Sequence, residues 1–241
     1  MHDGETLKFG LIGAGRIGQI HGRNMATRLP GVRLAAVADI DLAAAQALAE
    51  RYDAPQVTSD YRELLGATEL AAVVICSSAD THATIIQEAA MAGKHIFCEK
   101  PLDYDLRRID QALAAVETAG VKLQVGFNRR FDPSFRRVRE LVRQGRIGEP
   151  HVLRITSRDP APPPVQYLKG SGGIFLDMTI HDFDMARYLI GSEVQELYVA
   201  GGVRVDPRFA ELGDLDTAVI TLKFEDGVIG TIDNSRQAVY G

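Results

Sequence analysis

The sequence predicts an α/β protein, with a doubly wound parallel sheet of the Rossmann kind followed by an α+β domain built on an open antiparallel sheet. Three observations carry that expectation. Apolar runs of β type alternate with helical stretches through the first half of the chain. A glycine turn, Gly13-Ala14-Gly15-Arg16-Ile17-Gly18, separates the first apolar run from the first helical stretch. Past Phe127 the alternation stops, and consecutive strands follow, two of them joined by a short hairpin turn.

In the first half the β-type runs fall at 7–12, 32–38, 71–76, 95–98 and 122–127, with a shorter one at 56–58. They are apolar throughout, as strands covered by helices on both sides must be. Between them lie helical stretches at 17–29, 42–51, 61–65, 83–91 and 106–118. Asp41 stands where an N-cap belongs, directly before an alanine-rich run. Gly93 and Gly120 stand where C-terminal caps belong. In the second half a helix at 133–143 carries many arginines on a solvated face, and a strand follows at 150–157. The prolines between Arg158 and Pro164 bar that stretch from a helix or a central strand. A Gly-Ser-Gly-Gly turn, Gly170 to Gly173, leads into a helical repeat at 174–190. Strands follow at 194–205, 217–224 and 228–234, the last two joined by Glu225-Asp226-Gly227. The expected organisation is one domain over 1–127 and a second over 128–241.

The glycine turn has chemical meaning because of its context. Strand, glycine turn, helix, second strand and then an acid, Asp39, 21 residues after Gly18, form the dinucleotide fingerprint. Gly13 allows a tight turn, Gly15 lets the backbone approach a pyrophosphate, and Gly18 lets the helix pack on the strand. The N–H groups and positive end of the helix suit phosphate. Asp39 can accept hydrogen bonds from the adenosine ribose hydroxyls and would repel a 2′-phosphate, so the expected cofactor is NAD rather than NADP. Asp39 could also serve as a helix N-cap, but Asp41 fills that role better.

Composition narrows the function classes. A net charge of −5 gives no electrostatic reason to expect nucleic acid. No apolar run approaches the ~20 residues of a membrane span, and the N-terminus does not read as a signal peptide. The two cysteines, Cys76 and Cys98, end apolar runs and lack metal-ligand spacing, so they read as reduced core thiols of a cytoplasmic protein. No metal site is expected.

Several residues could do chemistry. Glu99-Lys100-Pro101 follows the run 95–98 directly, at the sheet edge where ligands of parallel sheets bind. Pro101 restricts Lys100 to extended geometry; the alternative is a solvated lysine paired with Glu99. Asp177 and His181 are four apart on an expected helix and so share a face. Such a histidine can take a hydroxyl proton while hydride leaves the carbon. The alternative is an N-cap Asp177, with His181 satisfied by Asp182 or Asp184. Asn128 and Arg129 end the run 122–127 and could hydrogen-bond polyol hydroxyls, or Arg129 could pair with Asp132. Thr81 and His82 follow the run 71–76, where a nicotinamide ribose could pass, although His82 also suits a cap or local packing.

These pieces resemble the Gfo/Idh/MocA oxidoreductases, and specifically their inositol-oxidising members. The glycines of the turn, Glu99-Lys100-Pro101 and the Asp177/His181 pair carry the general likeness. The strings GFNRRFDPSF from Gly126, SRDP from Ser157, SGGIFLDMTIHDFDMAR from Ser171 and NSRQAVYG from Asn234 carry the narrower one. The resemblance implies NAD-dependent oxidation of an inositol ring hydroxyl to a ketone, with Lys100, Asp177 and His181 as the catalytic set. It implies substrate contacts from Lys100, Arg129, Asp177, His181 and Tyr240. Expected cofactor contacts are Gly13, Gly15, Arg16, Ile17, Gly18, Asp39, Ser77, Thr81, His82, Glu99 and Lys100. It leaves open another polyol or sugar as substrate, or a non-catalytic NAD-binding regulator on this fold. Members of the family are longer, which implies that this chain is a fragment lacking part of its second sheet, poorly active and aggregation-prone alone. The full-length protein is expected to be a dimer or tetramer of identical chains.

Overall fold

The computed structural model describes residues 6–238. The chain divides into two compact units, Met1–Gly126 and Phe127–Gly241.

The first unit alternates strand and helix as its apolar runs require: β1 (Leu7–Ile12), α1 (Arg16–Thr27), β2 (Val32–Ala38), α2 (Leu42–Arg51), β3 (Gln56–Thr58), α3 (Tyr61–Gly66), β4 (Leu70–Ile75), α4 (Ala79–Met91), β5 (His95–Cys98), α5 (Leu106–Ala119) and β6 (Leu123–Val125). All six strands are parallel, in the order β3-β2-β1-β4-β5-β6. The order reverses between β1 and β4, so the turns after those two strands meet at one switch point. Alternate residues of each strand feed two cores. Ile12, Val73 and Ile75 join one cluster, whereas Leu11, Val37 and Val74 join the other. Asp41 caps α2 by accepting from the amides of Ala43 and Ala44, and Gly120 ends α5 in the left-handed conformation. Helix α4 begins four residues earlier than its sequence suggests, because Ala79-Asp80-Thr81-His82 carries no apolar period.

The second unit opens with a 3₁₀ turn at Asn128–Phe131, followed by α6 (Pro133–Arg143), β7 (Val152–Arg158), α7 (Val165–Leu168), a π-helical turn at Phe175–Thr179, α8 (Ile180–Ile190), β8 (Val194–Gly202), α9 (Arg208–Glu211), β9 (Thr217–Phe224) and β10 (Ile229–Ser235). The short helices α7 and α9 and the 3₁₀ turn carry too few residues to show a period. The four strands order as β7-β10-β9-β8. This sheet is mixed rather than wholly antiparallel. β9 runs antiparallel to β8 and β10, but β7 runs parallel to β10. The long connection between β7 and β10 supplies the crossover that a parallel pair needs. Ile220, Leu222, Phe224 and Ile232 bury one face of the sheet together with Ala186 of α8. Val152, Tyr198, Val219 and Ile229 remain exposed on the other.

The expected helix at 174–190 is broken into two kinds. Phe175–Thr179 is a π turn, and regular α-helix starts at Ile180. Asp177 therefore sits in the wider turn and His181 in the α-helix, so simple four-residue spacing does not define their shared face. Over five residues the apolar pattern cannot separate the two helix types.

Candidate active site

In the first unit the turns at the carboxyl ends of the strands surround a cavity of about 510 Å³. Gly13, Gly15, Asp39, Cys76, Ser77 and Thr81 are among its walls. Gly13 adopts φ +98°, and a side chain there would lie 2.6 Å from the backbone of Cys76. At Gly18 a Cβ would fall 1.9 Å from the carbonyl oxygen of Gly13. At Gly15 it would meet nothing within 4 Å. Two of the three glycines are thus required by the protein itself, and the third leaves open space at the helix N-terminus. Arg16 is exposed there and Ile17 is half-buried. Such a cradle of free amides at the positive end of a helix suits a pyrophosphate.

Asp39 lies just beyond β2 and closes this turn. Its Oδ2 accepts from the amide of Ala14 at 2.6 Å, and its Oδ1 accepts from the amide of Asp41 at 2.8 Å. The carboxylate is therefore fixed in orientation and keeps further lone pairs for ribose hydroxyls. The Ser77 and Thr81 hydroxyls lie 2.8 Å apart, joining the turn after β4 to the first turn of α4. His82 is not a cap. It is buried, with Nδ1 2.8 Å from the carbonyl oxygen of Pro101 and Nε2 3.0 Å from that of Ser77.

Glu99, Lys100 and Pro101 leave β5 at the same end of the sheet. Burial of Cys98 and Cys76 pushes both thiols up, with the charge of Glu99 adding to the effect, so neither is a ready thiolate. The Oε1 of Glu99 lies 2.7 Å from His21 Nε2, on α1. Sequence reasoning missed this pair, since the partners are 78 residues apart.

The second unit contains Arg129, Asp177 and His181. Asp177 is not an N-cap; Asp214 accepts the amide of Ile174 at the head of the π turn instead. The Tyr167 hydroxyl donates to Asp177 Oδ1 at 2.6 Å, and Arg236 Nη2 lies 3.0 Å from Oδ2. Arg236 is itself buried and also donates to Asp159 at 3.3 Å. Arg129 does not pair with Asp132, which caps α6. Its Nη1 donates at 2.5 Å to Asp182, a fully buried carboxylate that also accepts from Ser157 at 2.7 Å and Asn234 at 2.8 Å. Arg130 forks onto Asp184, and Arg158 pairs with Asp233. Tyr167 and Arg236 around Asp177, and Asn234 on Asp182, are polar contacts that sequence reasoning did not single out; Asp182 was considered only as a partner for His181. Asn234 and Arg236 lie inside the strings quoted above. Tyr240 lies outside the described residues.

The sequence pattern of the Gfo/Idh/MocA oxidoreductase family, with its NAD-binding Rossmann fold, matches residues 7–127. The C-terminal domain pattern of the same family matches residues 135–241. The chain is a Gfo/Idh/MocA oxidoreductase. It is 55% identical over 232 residues to the uncharacterized oxidoreductase YrbE of Bacillus subtilis, covering 96% of this chain and 68% of that one. It is 48% identical to the myo-inositol 2-dehydrogenase of Thermotoga maritima, covering 98% and 70% respectively. Its fold matches a scyllo-inositol dehydrogenase from Lactobacillus casei, solved with NAD(H) and scyllo-inositol, with a TM-score of 0.91 at 33% identity over 98% of this chain and 72% of that one. In this oxidoreductase the glycine turn and Asp39 fit NAD by their chemistry: an open phosphate cradle and an oriented carboxylate. Among the described residues no group of three or more His, Cys, Asp or Glu side chains is set to hold a metal. No helix among them is long and apolar enough to cross a membrane.

Proposed function

We propose that this protein oxidises a ring hydroxyl of myo-inositol to the 2-keto product with NAD. The likeness to a myo-inositol 2-dehydrogenase over 98% of the chain carries the reading. The polar residues that the chemistry needs support it. The first unit acts as the NAD-binding domain and the second as the substrate domain, with the boundary at 127/128. NAD supplies the hydride acceptor when bound. His181 takes the hydroxyl proton, and Asp177, oriented by Tyr167 and Arg236, supports the charge that forms on the ring. Lys100 hydrogen-bonds the reacting oxygen. Arg129, anchored at Nη1 by Asp182, offers its remaining N–H donors to neighbouring ring hydroxyls, and Tyr240 adds a substrate contact. Ser77, Thr81, His82 and Glu99 shape the nicotinamide end of the cofactor site.

The test is NAD reduction by the complete protein with myo-, scyllo- and chiro-inositol, glucose and galactose in parallel. Myo-inositol should give the highest kcat/KM. Lys100→Ala and His181→Ala should each lower kcat by about 10²–10⁴-fold. Turnover at the parent rate in both variants refutes the catalytic assignment. Scyllo-inositol is the second reading, favoured by the structural match to a scyllo-inositol dehydrogenase. We also propose a cytoplasmic homo-oligomer that binds neither nucleic acid nor membrane. The exposed Val152, Tyr198, Val219 and Ile229 on one sheet face support self-association. Light scattering on the complete protein that finds only monomer at micromolar concentration would refute it.

A further inference from the structure

We propose that the hollow between α6 and the end of α8 is an anion site that takes a phosphate dianion, free or as a phosphate monoester, an inference that goes beyond the polyol reading and does not rest on it. The cavity measures about 590 Å³ and lies wholly within the second unit. Five guanidinium groups line it: Arg130 from the 3₁₀ turn, Arg136, Arg139 and Arg143 from α6, and Arg187 from α8. Spacings of three and four residues put the α6 arginines on one face of that helix.

Charge decides what such a hollow holds. Arg130 forks onto Asp184 and Arg187 onto Glu193, so both are balanced. Glu140 is shared between Arg136 at 3.9 Å and Arg137, which lies outside the wall, at 3.4 Å. Among the described residues no carboxylate pairs with Arg139 or Arg143. Five positive charges thus face three carboxylates, an excess of two. The carbonyl end of α8, where Arg139 Nη1 donates to Leu189 at 3.4 Å, offsets about half a charge. Arginines that only capped that helix would leave the rest unbalanced in one concave place. Arg139 is half-buried and held in advance. Its guanidinium lies 5.8 Å from the centre of the Tyr188 ring and packs on Gly191, where a Cβ would fall 2.5 Å from Nη1. A planar fork with donors to spare, on the same helix face as Arg143, suits the oxygens of a phosphate group, which carries about −1.5 to −2 charges at pH 7. The chain's net charge of −5 favours a small ligand over a polyanion such as nucleic acid.

Isothermal titration calorimetry on the complete protein, at low salt and about pH 7.5 with NAD saturating, tests the site with two probes. Inorganic phosphate and phenyl phosphate, a monoester with no alcohol to enter a polyol site, should each bind at one saturable site with a Kd below about 1 mM. Equal affinities identify free phosphate as the ligand, and tighter phenyl phosphate identifies an organic monoester. Arg143→Gln should weaken both probes by about 10-fold, and Arg139→Gln with Arg143→Gln by about 100-fold, the loss of one and of two charged donors. Arg154→Gln removes a charge from β7, outside the walls, and should stay within about 2-fold of the parent. Saturating NAD keeps the probes out of the glycine turn of the first unit. Thermal melts establish that each variant is folded at the assay temperature; Arg143 is exposed, so its single variant decides the matter where the double variant is unfolded. The inference is overturned if neither probe saturates on the parent, or if Arg143→Gln weakens them no more than Arg154→Gln does. A complete protein that oxidises no polyol refutes the functional reading and leaves this titration untouched.

Discussion

Substituting the three glycines of the turn one at a time separates folding from binding. At Gly15 the backbone has φ −67° and ψ −168°, which alanine adopts freely, and an added Cβ meets nothing within 4 Å. Alanine there restricts the unfolded chain, a gain of about 0.4–1 kcal/mol. As an N-cap it is worse than glycine by about 0.5–1 kcal/mol. The two nearly cancel, so Gly15→Ala should melt within a few degrees of the parent. The same methyl occupies the space through which a pyrophosphate approaches the helix amides, so Kd for NAD should rise by about 10-fold or more, or about 1.4 kcal/mol. Gly18→Ala behaves in the opposite way. Its Cβ would sit 1.9 Å from the carbonyl oxygen of Gly13, so helix and turn must separate. Overpacking of this kind costs about 1–3 kcal/mol, and the melt should fall accordingly. The assays are a thermal melt without cofactor and a fluorescence titration with NAD. A Gly15→Ala protein that binds NAD as the parent does would refute the placement of the phosphates, whatever its stability.

Other outcomes follow from single contacts. Asp39→Ser should shift the ratio of NADP to NAD utilisation upward, because it removes the negative charge, held in place by the amides of Ala14 and Asp41, that would accept from the ribose hydroxyls and repel a 2′-phosphate; an unchanged ratio excludes Asp39 from cofactor choice. Asp182→Ala strips Arg129, Ser157 and Asn234 of a shared buried acceptor, and should cost about 3–5 kcal/mol in chemical denaturation, since it leaves a cation without its partner. Burial alone would raise the pKa of Asp216, but amides of Asp206, Arg204 and Val205 and the hydroxyl of Thr217 donate to it and hold it below the ordinary aspartate value. A depressed carboxylate stabilises the fold fully above its unfolded pKa and loses that contribution as pH falls through the folded one. The stability gap between parent and Asp216→Asn should therefore be flat above about pH 5 and shrink below about pH 4. A gap that widens on acidification would reverse the sign of the argument.

The first unit was legible in the sequence because its signals are local. Parallel strands buried on both faces write themselves as unbroken apolar runs, and the glycine turn is constrained by contacts within a few residues of itself or at the neighbouring strand end. Strands β2 and β3 and helix α2 fall where the sequence places them. The second unit was less so. The parallel pairing of β7 with β10 joins residues 77 apart, as at Thr156 and Asp233, and no turn signal records it. The π turn at Phe175–Thr179 has the same apolar spacing as the α-helix it precedes. Tyr167 sits in a four-residue helix after a run of prolines, too short for any period to show. The contacts of His21, Asp182 and Arg236 were hidden for a common reason: each is a polar group whose role depends on a partner distant in sequence.

Two of the alternatives left open by the sequence can be weighed by those partners. Had His181 been a structural histidine, Asp182 and Asp184 were its natural acceptors. Asp182 already balances Arg129 while accepting from Ser157 and Asn234, and Asp184 already takes the fork of Arg130. Each of these two buried carboxylates thus has a guanidinium of its own. Asp177 is different. A phenol and a buried guanidinium fix both its oxygens, and that guanidinium also serves Asp159, so its charge is shared between two carboxylates. A carboxylate held by a hydroxyl donor and by an ion pair with a guanidinium shared between two acids can support a positive charge that forms beside it. The proton transfer to His181 proposed above calls for such a charge, and an ion pair shared in this way is more costly to maintain inside a protein than the one-to-one pairs of Asp182 and Asp184.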